Sequence, residues 1–106
     1  MLGRLVALNI LLYGINYAPE PVGIGKYSGE LGSWLAARGF SVRVITAPPY
    51  FPGWQVAAGH RNRYGLEQRE GLRVRRCPLW VPRRPSGLTR LLHLASFAFS
   101  SLGPLL

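Results

Sequence analysis

Aspartate is absent from the chain, and the four glutamates, Glu20, Glu30, Glu67 and Glu70, are scattered along it. None forms a carboxylate pair suited to hydrolytic acid–base work. Cysteine is nearly absent as well. Cys77 stands alone, which excludes an intramolecular disulfide and any multi-cysteine zinc site. Only two histidines, His60 and His93, remain as further ligand types, so no dedicated metal site is expected, and a reducing cytoplasm fits. A spanning hydrophobic run is missing too. The uncharged stretch after Arg90 has 16 residues, against roughly 20 needed to cross a bilayer. At the other end, Arg4 followed by Leu5–Tyr13 has the outline of a leader, but Asn9 interrupts the run and no small-x-small cleavage site follows. A buried first strand is the expectation there, with residues 1–8 an extension or the beginning of that strand.

What is present fits one small domain. The chain has 106 residues, of which 48% are hydrophobic, with 13 glycines and nine prolines. A core is therefore expected, built from short elements with many turns. The net charge is +9, from twelve arginines and one lysine against the four glutamates. Such an excess points to an anionic partner, whether phosphate groups, an acidic membrane surface or nucleic acid, or else to a merely solvated basic surface. No helix-turn-helix, RNP or zinc signature accompanies it, so nucleic acid is not expected as a partner.

Ile10–Tyr13 is a short apolar run ended by Gly14, the pattern of a strand buried on both faces in a parallel sheet. A loop with Pro19, Pro21, Gly23 and Gly25 follows. A helix is expected from Ile24 or Gly25 to Arg38, with Ile24, Tyr27, Leu31, Trp34 and Leu35 on one face and Lys26, Glu30 and Ser33 opposite. Arg38 suits the last turn, and Gly39 suits the position just beyond it. Gly29 and Gly32 weaken this helix by roughly 1 kcal/mol each relative to alanine. Ser41–Thr46, rich in β-branched residues, is expected as the next strand, completing a βαβ unit. Residues 47–71 read as a long irregular stretch with prolines, aromatics and arginines, the kind of loop that is often functional. Leu72–Cys77 is a third expected strand, closed by Pro78. From Ser86 onward a helical wheel aligns Leu88, Leu91, Leu92, Ala95, Phe99, Leu102 and Leu106 in one stripe, with Thr89, Arg90, His93, Ser96 and Ser100 opposite or to the side. Gly103 and Pro104 are expected to break its end. This stripe either packs onto the sheet or lies on a membrane surface beside Arg83, Arg84 and Arg90.

The turn after the first strand is the main candidate for chemistry. Gly23, Gly25 and Gly29 are spaced one residue too long for a dinucleotide fingerprint, and Glu20 stands where a P-loop needs a glycine. A glycine turn at a helix N-terminus still delivers unpaired N–H groups, able to hold a phosphate or let a sugar approach the backbone. Lys26 adds a cation. Glu20, the one carboxylate near the turn, orients a sugar hydroxyl in one reading and is an exposed loop residue in another. His60 and His93 are bases by residue type alone, with no partner acid identifiable.

The residues Tyr13–Glu20 (YGINYAPE), Gly23–Tyr27 (GIGKY), Thr46–Pro52 (TAPPYFP) with Trp54–Val56 (WQV), Arg76–Pro82 (RCPLWVP) and Arg90–Leu94 (RLLHL) with Ser96-Phe97 resemble the start of family 4 glycosyltransferases. The branch is that of the colanic-acid and related exopolysaccharide enzymes. The resemblance runs from about Asn9 to the last residue. It implies an α/β fold: a partial Rossmann-like parallel sheet, the start of the N-terminal domain of a GT-B enzyme. Residues 9–106 would be an incomplete acceptor-side domain, with the donor-binding domain and its E-x7-E element absent. By position Gly23, Gly25 and Lys26 would line the donor-facing cleft near the phosphates. Glu20, Tyr50 and Trp54 would lie on the acceptor side, aromatic faces stacking on sugar rings. The family uses a nucleotide-diphosphate sugar and no essential metal or other cofactor, and its usual candidate base lies beyond Leu106, leaving the catalytic residues of this chain unassigned. Acceptors in the branch are typically polyprenyl-diphosphate-linked saccharides, which implies peripheral attachment to the cytoplasmic membrane face through Arg83, Arg84 and Arg90. A fragment of this extent is expected to lack transfer activity alone. The alternatives are a non-enzymatic basic amphipathic module on a membrane surface and a non-functional remnant.

Overall fold

A computed structural model of the chain describes residues 9–69 and 71–105. The expected extension at residues 1–8, Glu70 and Leu106 lie outside the described residues. Strand β1 (Asn9–Tyr13), helix α1 (Gly23–Ala37) and strand β2 (Ser41–Thr46) form the βαβ unit. Strands β3 (Gly65–Arg69) and β4 (Leu72–Arg76) follow, then helix α2 (Gly87–Ser100) and a single turn, α3 (Leu102–Leu105). The sheet order is β1-β2-β4-β3. β1, β2 and β4 run parallel, and β3 pairs antiparallel with β4. This is the expected α/β, Rossmann-like architecture, and its three parallel strands lie where the sequence pattern puts them; β1, however, is an edge strand with no buried residue rather than a strand buried on both faces.

The strand β3 corrects one expectation, since it lies inside the stretch read as irregular. Its sequence, GLEQR, has a single aliphatic residue, Leu66, and that side chain is 50% exposed. An edge strand of this kind carries no period-two apolar signal, and polar residues there discourage edge-to-edge pairing. Its pairing comes from the hairpin, which Gly71 closes with φ of 74°, a left-handed conformation suited to glycine.

Alternation along the central strands builds two cores, one on each face of the sheet. Val42, Val44, Leu72 and Val74 pack with Tyr17 and, from α1, Leu35 and Ala36. On the other face Ile45, Ala47, Cys77 and Leu79 pack with Tyr50 and with Phe97 of α2. Cys77 is fully buried, and burial pushes its thiol up, with the Arg75 charge opposing. It is a core residue and no nucleophile. Beyond the reach of α2, this second face stays open. Arg43 and Arg73 sit side by side there, both exposed, with exposed Arg75 further along. Three of the twelve arginines are therefore gathered on bare sheet.

Both helices lie on the sheet the opposite way round from the pattern of their apolar residues. In α1 the buried positions are Gly25, Gly29 and Gly32. Of the expected apolar face, Ile24, Tyr27, Leu31 and Trp34 are exposed and only Leu35 packs inward. The reason is close approach. A Cβ on Gly29 would sit 2.5 Å from the Ala18 Cβ, and one on Gly32 would collide with the Tyr17 hydroxyl. The helix end behaves as expected: Gly39 has φ of 93°, and the Arg38 guanidinium stacks on Trp34 at 4.3 Å. In α2 the buried residues are His93 and Phe97, whereas Leu88, Leu91, Leu92 and Phe99 point outward. The leucine stripe thus does not pack onto the sheet. Ser86 and Thr89 cap the helix reciprocally. The helix ends at Ser100 with Ser101 as its cap residue, and Gly103 and Pro104, expected to break its end, lie within the helical turn α3 that follows. The buried Ser101 hydroxyl meets the Tyr13 hydroxyl at 2.6 Å, and Tyr13 stacks on Phe97.

Helix propensity alone would make Gly29→Ala stabilising by roughly 1 kcal/mol. The collision with Ala18 reverses the sign, and a net loss of about 1–3 kcal/mol is expected from overpacking. Urea denaturation measures it; a raised midpoint would refute the glycine-face packing.

Candidate functional site

In open parallel sheets, ligands bind outside the carboxyl ends of the strands. Three segments leave those ends here: the loop after β1, the stretch after β2 and the stretch after β4. Glu20 and Arg76 tie them together. Glu20 is only 3% exposed, which excludes a free loop residue. One carboxylate oxygen accepts from the backbone N–H of Tyr50 at 2.9 Å and of Phe51 at 3.0 Å, and the other accepts from the Asn16 amide at 3.0 Å. The glycine turn and the aromatic stretch are thereby held as one unit. Gly25 lies directly over Glu20, where any Cβ would strike the carboxylate.

Arg76, at the end of β4, opens the RCPLWVP stretch, and no role for it was expected from the sequence. Its side chain is 7% exposed and donates to the carbonyls of Ala18 and Ala47 and to Glu67, the last at 2.8 Å. A buried guanidinium with several acceptors is well matched to joining three chain segments. The signal available in the sequence was an arginine on the inward parity of a strand, between Val74 and Cys77. Glu67, one of the scattered glutamates, is half-exposed and serves this clasp.

Gly23 starts α1 with φ of 72°, and the Phe51 ring lies beside it. No side chain caps this helix, and its first turn holds no acidic residue. Its leading N–H groups and the exposed Lys26 are thus available to an anion.

Tyr50 is buried, Trp54 partly so, and the two rings lie 5.3 Å apart. Burial, aided by the Glu20 charge and opposed by a hydrogen bond with Asn16, pushes the Tyr50 hydroxyl up. His93 closes the cluster, 4.6 Å from Tyr50 and 5.2 Å from Trp54. Its Nδ1 is 2.7 Å from the Trp80 carbonyl, which only accepts, so Nδ1 carries the proton. At 1% exposure His93 is a packing residue rather than an accessible base. His60 lies apart, beside Arg76 and Glu67. Arg83, Arg84 and Arg90 are all exposed. Arg90 lies over the Trp54 ring at 5.6 Å, bringing one of the expected membrane-side arginines onto the acceptor-side aromatic pair.

Glu20→Ala removes the acceptor for two backbone N–H groups, one of them buried. A loss of about 1–3 kcal/mol is expected, together with weaker amide-exchange protection at Tyr50 and Phe51. Unchanged protection would show that Glu20 does not hold the two loops together.

Comparison with known proteins agrees with this geometry. Residues 22–102 match the model of the glycosyl transferase 4-like domain. Over 100 residues, or 93% of the chain, the sequence is 58% identical to the putative colanic acid biosynthesis glycosyl transferase WcaI of Escherichia coli (strain K12). The chain spans 24% of that protein's length. With its parallel sheet, its uncapped glycine turn and a family match over most of its length, the chain belongs to the glycosyl transferase 4-like domain family.

Proposed function

We propose that this chain forms the acceptor-side part of a glycosyltransferase that moves a sugar from a nucleotide-diphosphate sugar to a polyprenyl-diphosphate-linked acceptor. The pathway would be surface or exopolysaccharide synthesis of the colanic-acid type, the role given in the name of the Escherichia coli relative. The observation that carries the reading is the turn at Gly23–Lys26. It combines uncapped helix N–H groups and an exposed ammonium at the carboxyl end of the sheet. Groups of this kind stabilise charge that builds on a departing diphosphate, and being fixed beforehand they need no reorganisation. The groups that grip the remainder of the donor would come from a second domain.

The outward stripe of α2 favours work at the cytoplasmic face of the membrane. Leu88, Leu91 and Phe99 are 69%, 65% and 79% exposed, with Arg84 and Arg90 nearby in sequence. Among the described residues no helix is long and apolar enough to cross a membrane. An amphipathic helix lying in the interface matches this pattern, its arginines meeting anionic headgroups.

The test joins this chain to the part of the Escherichia coli relative that follows the matched region. Release of nucleoside diphosphate is then measured with membranes that contain lipid-linked acceptor. The hybrid is expected to turn over and the chain by itself is not. Lys26→Met in the hybrid should lower kcat about a hundredfold, as expected for loss of one preorganised stabilising group. A folded hybrid that binds nucleotide sugar and never transfers would overturn the proposal.

A further inference from the structure

A groove of about 920 Å³ opens between the segments that leave β2 and β4, with Ser96 of α2 also lining it. Its volume falls within the range of small-molecule sites, about 300–1,000 Å³. Trp54 and Trp80 contribute aromatic surface, and Gln55 and Arg83 bring polar groups. Resting on the glycosyltransferase reading above, we propose that this groove seats the acceptor, its first sugar on Trp80 and its adjoining phosphate on Arg83.

The groove has the features of a prepared site. The Trp80 backbone is fixed on both sides, its N–H donating to Ser96 Oγ at 2.8 Å and its carbonyl accepting from His93 Nδ1 at 2.7 Å. Its indole is nevertheless 46% exposed, and no ring or cation among the described residues covers it. A large aromatic held rigidly in the open offers contact area at little entropic cost.

Trp54 adds a second, independent sign. Its φ is 55°, in the left-handed region that a bulky residue seldom enters. Its N–H donation to the Tyr50 carbonyl at 2.7 Å and its packing on Tyr50 and His93 hold it there. Backbone strain retained by its surroundings gathers at ligand clamps.

The polar groups divide in the same sense. The Asn62 amide is spent on the Leu79 backbone, donating at 2.6 Å and accepting at 2.9 Å. The Gln55 amide and the Arg83 guanidinium have no protein partner among the described residues. An aromatic wall, an amide and a cation match a pyranose ring, its hydroxyls and a phosphate.

The experiment is 19F NMR of the full chain labelled with 5-fluorotryptophan, with no donor present. Trp34, on α1, serves as internal reference. The probe is citronellyl-diphosphate-linked glucose, compared with citronellyl diphosphate and with inorganic pyrophosphate. The Trp54 and Trp80 signals are expected to shift while Trp34 does not, and the sugar-bearing probe is expected to bind most tightly. Trp80→Ala and Arg83→Gln should each weaken it at least about tenfold, the scale of an interface hot spot, with Trp80→Phe recovering part of the loss. Both Arg83 and the Trp80 ring are exposed, and Arg83→Gln alone still decides the matter if Trp80→Ala does not fold. Equal binding of the probe with and without sugar, or unchanged affinity in Arg83→Gln, would overturn the assignment. Because no transfer is measured, loss of this site leaves the glycosyltransferase reading standing. An inactive hybrid with intact probe binding overturns only the latter.

Discussion

Three positions without a side chain, Gly25, Gly29 and Gly32, let α1 settle against the backbone of Tyr17–Glu20. Much of the molecule follows from that contact. It brings the start of α1 directly over Glu20, which in turn holds Tyr50 and Phe51. Arg76 adds a second tie from β4 to Ala18 and Ala47. The loops at the carboxyl end of the sheet therefore form one hydrogen-bonded body, in which the buried Glu20 and Arg76 are matched rather than left costly. On such a body the proposed donor-facing turn and acceptor groove would keep a fixed separation, as transfer between two bound substrates requires.

The same packing leaves the apolar side chains of both helices facing outward. Ile24, Tyr27, Leu31 and Trp34 on α1, and Leu88, Leu91 and Phe99 on α2, are exposed together with the bare sheet around Arg43 and Arg73. Apolar surface of this extent marks contact with another body, whether protein or lipid. In the proposed membrane role the arginines that flank α2 would meet lipid, whereas α1 offers an aromatic and aliphatic face with Lys26 over Tyr27 and Arg38 stacked on Trp34.

The parallel strands were legible because β-branched and aliphatic runs such as Ser41–Thr46 leave little choice of face. So was the family, carried by short stretches such as Gly23–Tyr27 and Thr46–Pro52. The orientation of the helices was not. A helical wheel assumes that the apolar side chains face the core, and it gives glycine no weight, yet in α1 glycines make the contact. In α2 His93, Phe97 and Ser101 turn inward because each finds a partner: the Trp80 carbonyl, Tyr13 and the Tyr13 hydroxyl. Long-range pairings of this sort leave no trace in local periodicity. The same holds for Arg76, whose acceptors lie 29 and 58 residues away in the chain, and for β3, which exists through its partner strand.

The orientation of α1 is the central claim, and nuclear Overhauser contacts in the methyl-labelled chain test it most directly. The account predicts a cross-peak between the Ala18 methyl and the Gly29 α-protons, with the Ile24 and Leu31 methyls broadened by a soluble paramagnetic probe. Cross-peaks from Ile24 or Leu31 to the Val42 and Val44 methyls would contradict it. They would place the apolar stripe of α1 on the sheet and remove the basis for the Glu20 staple.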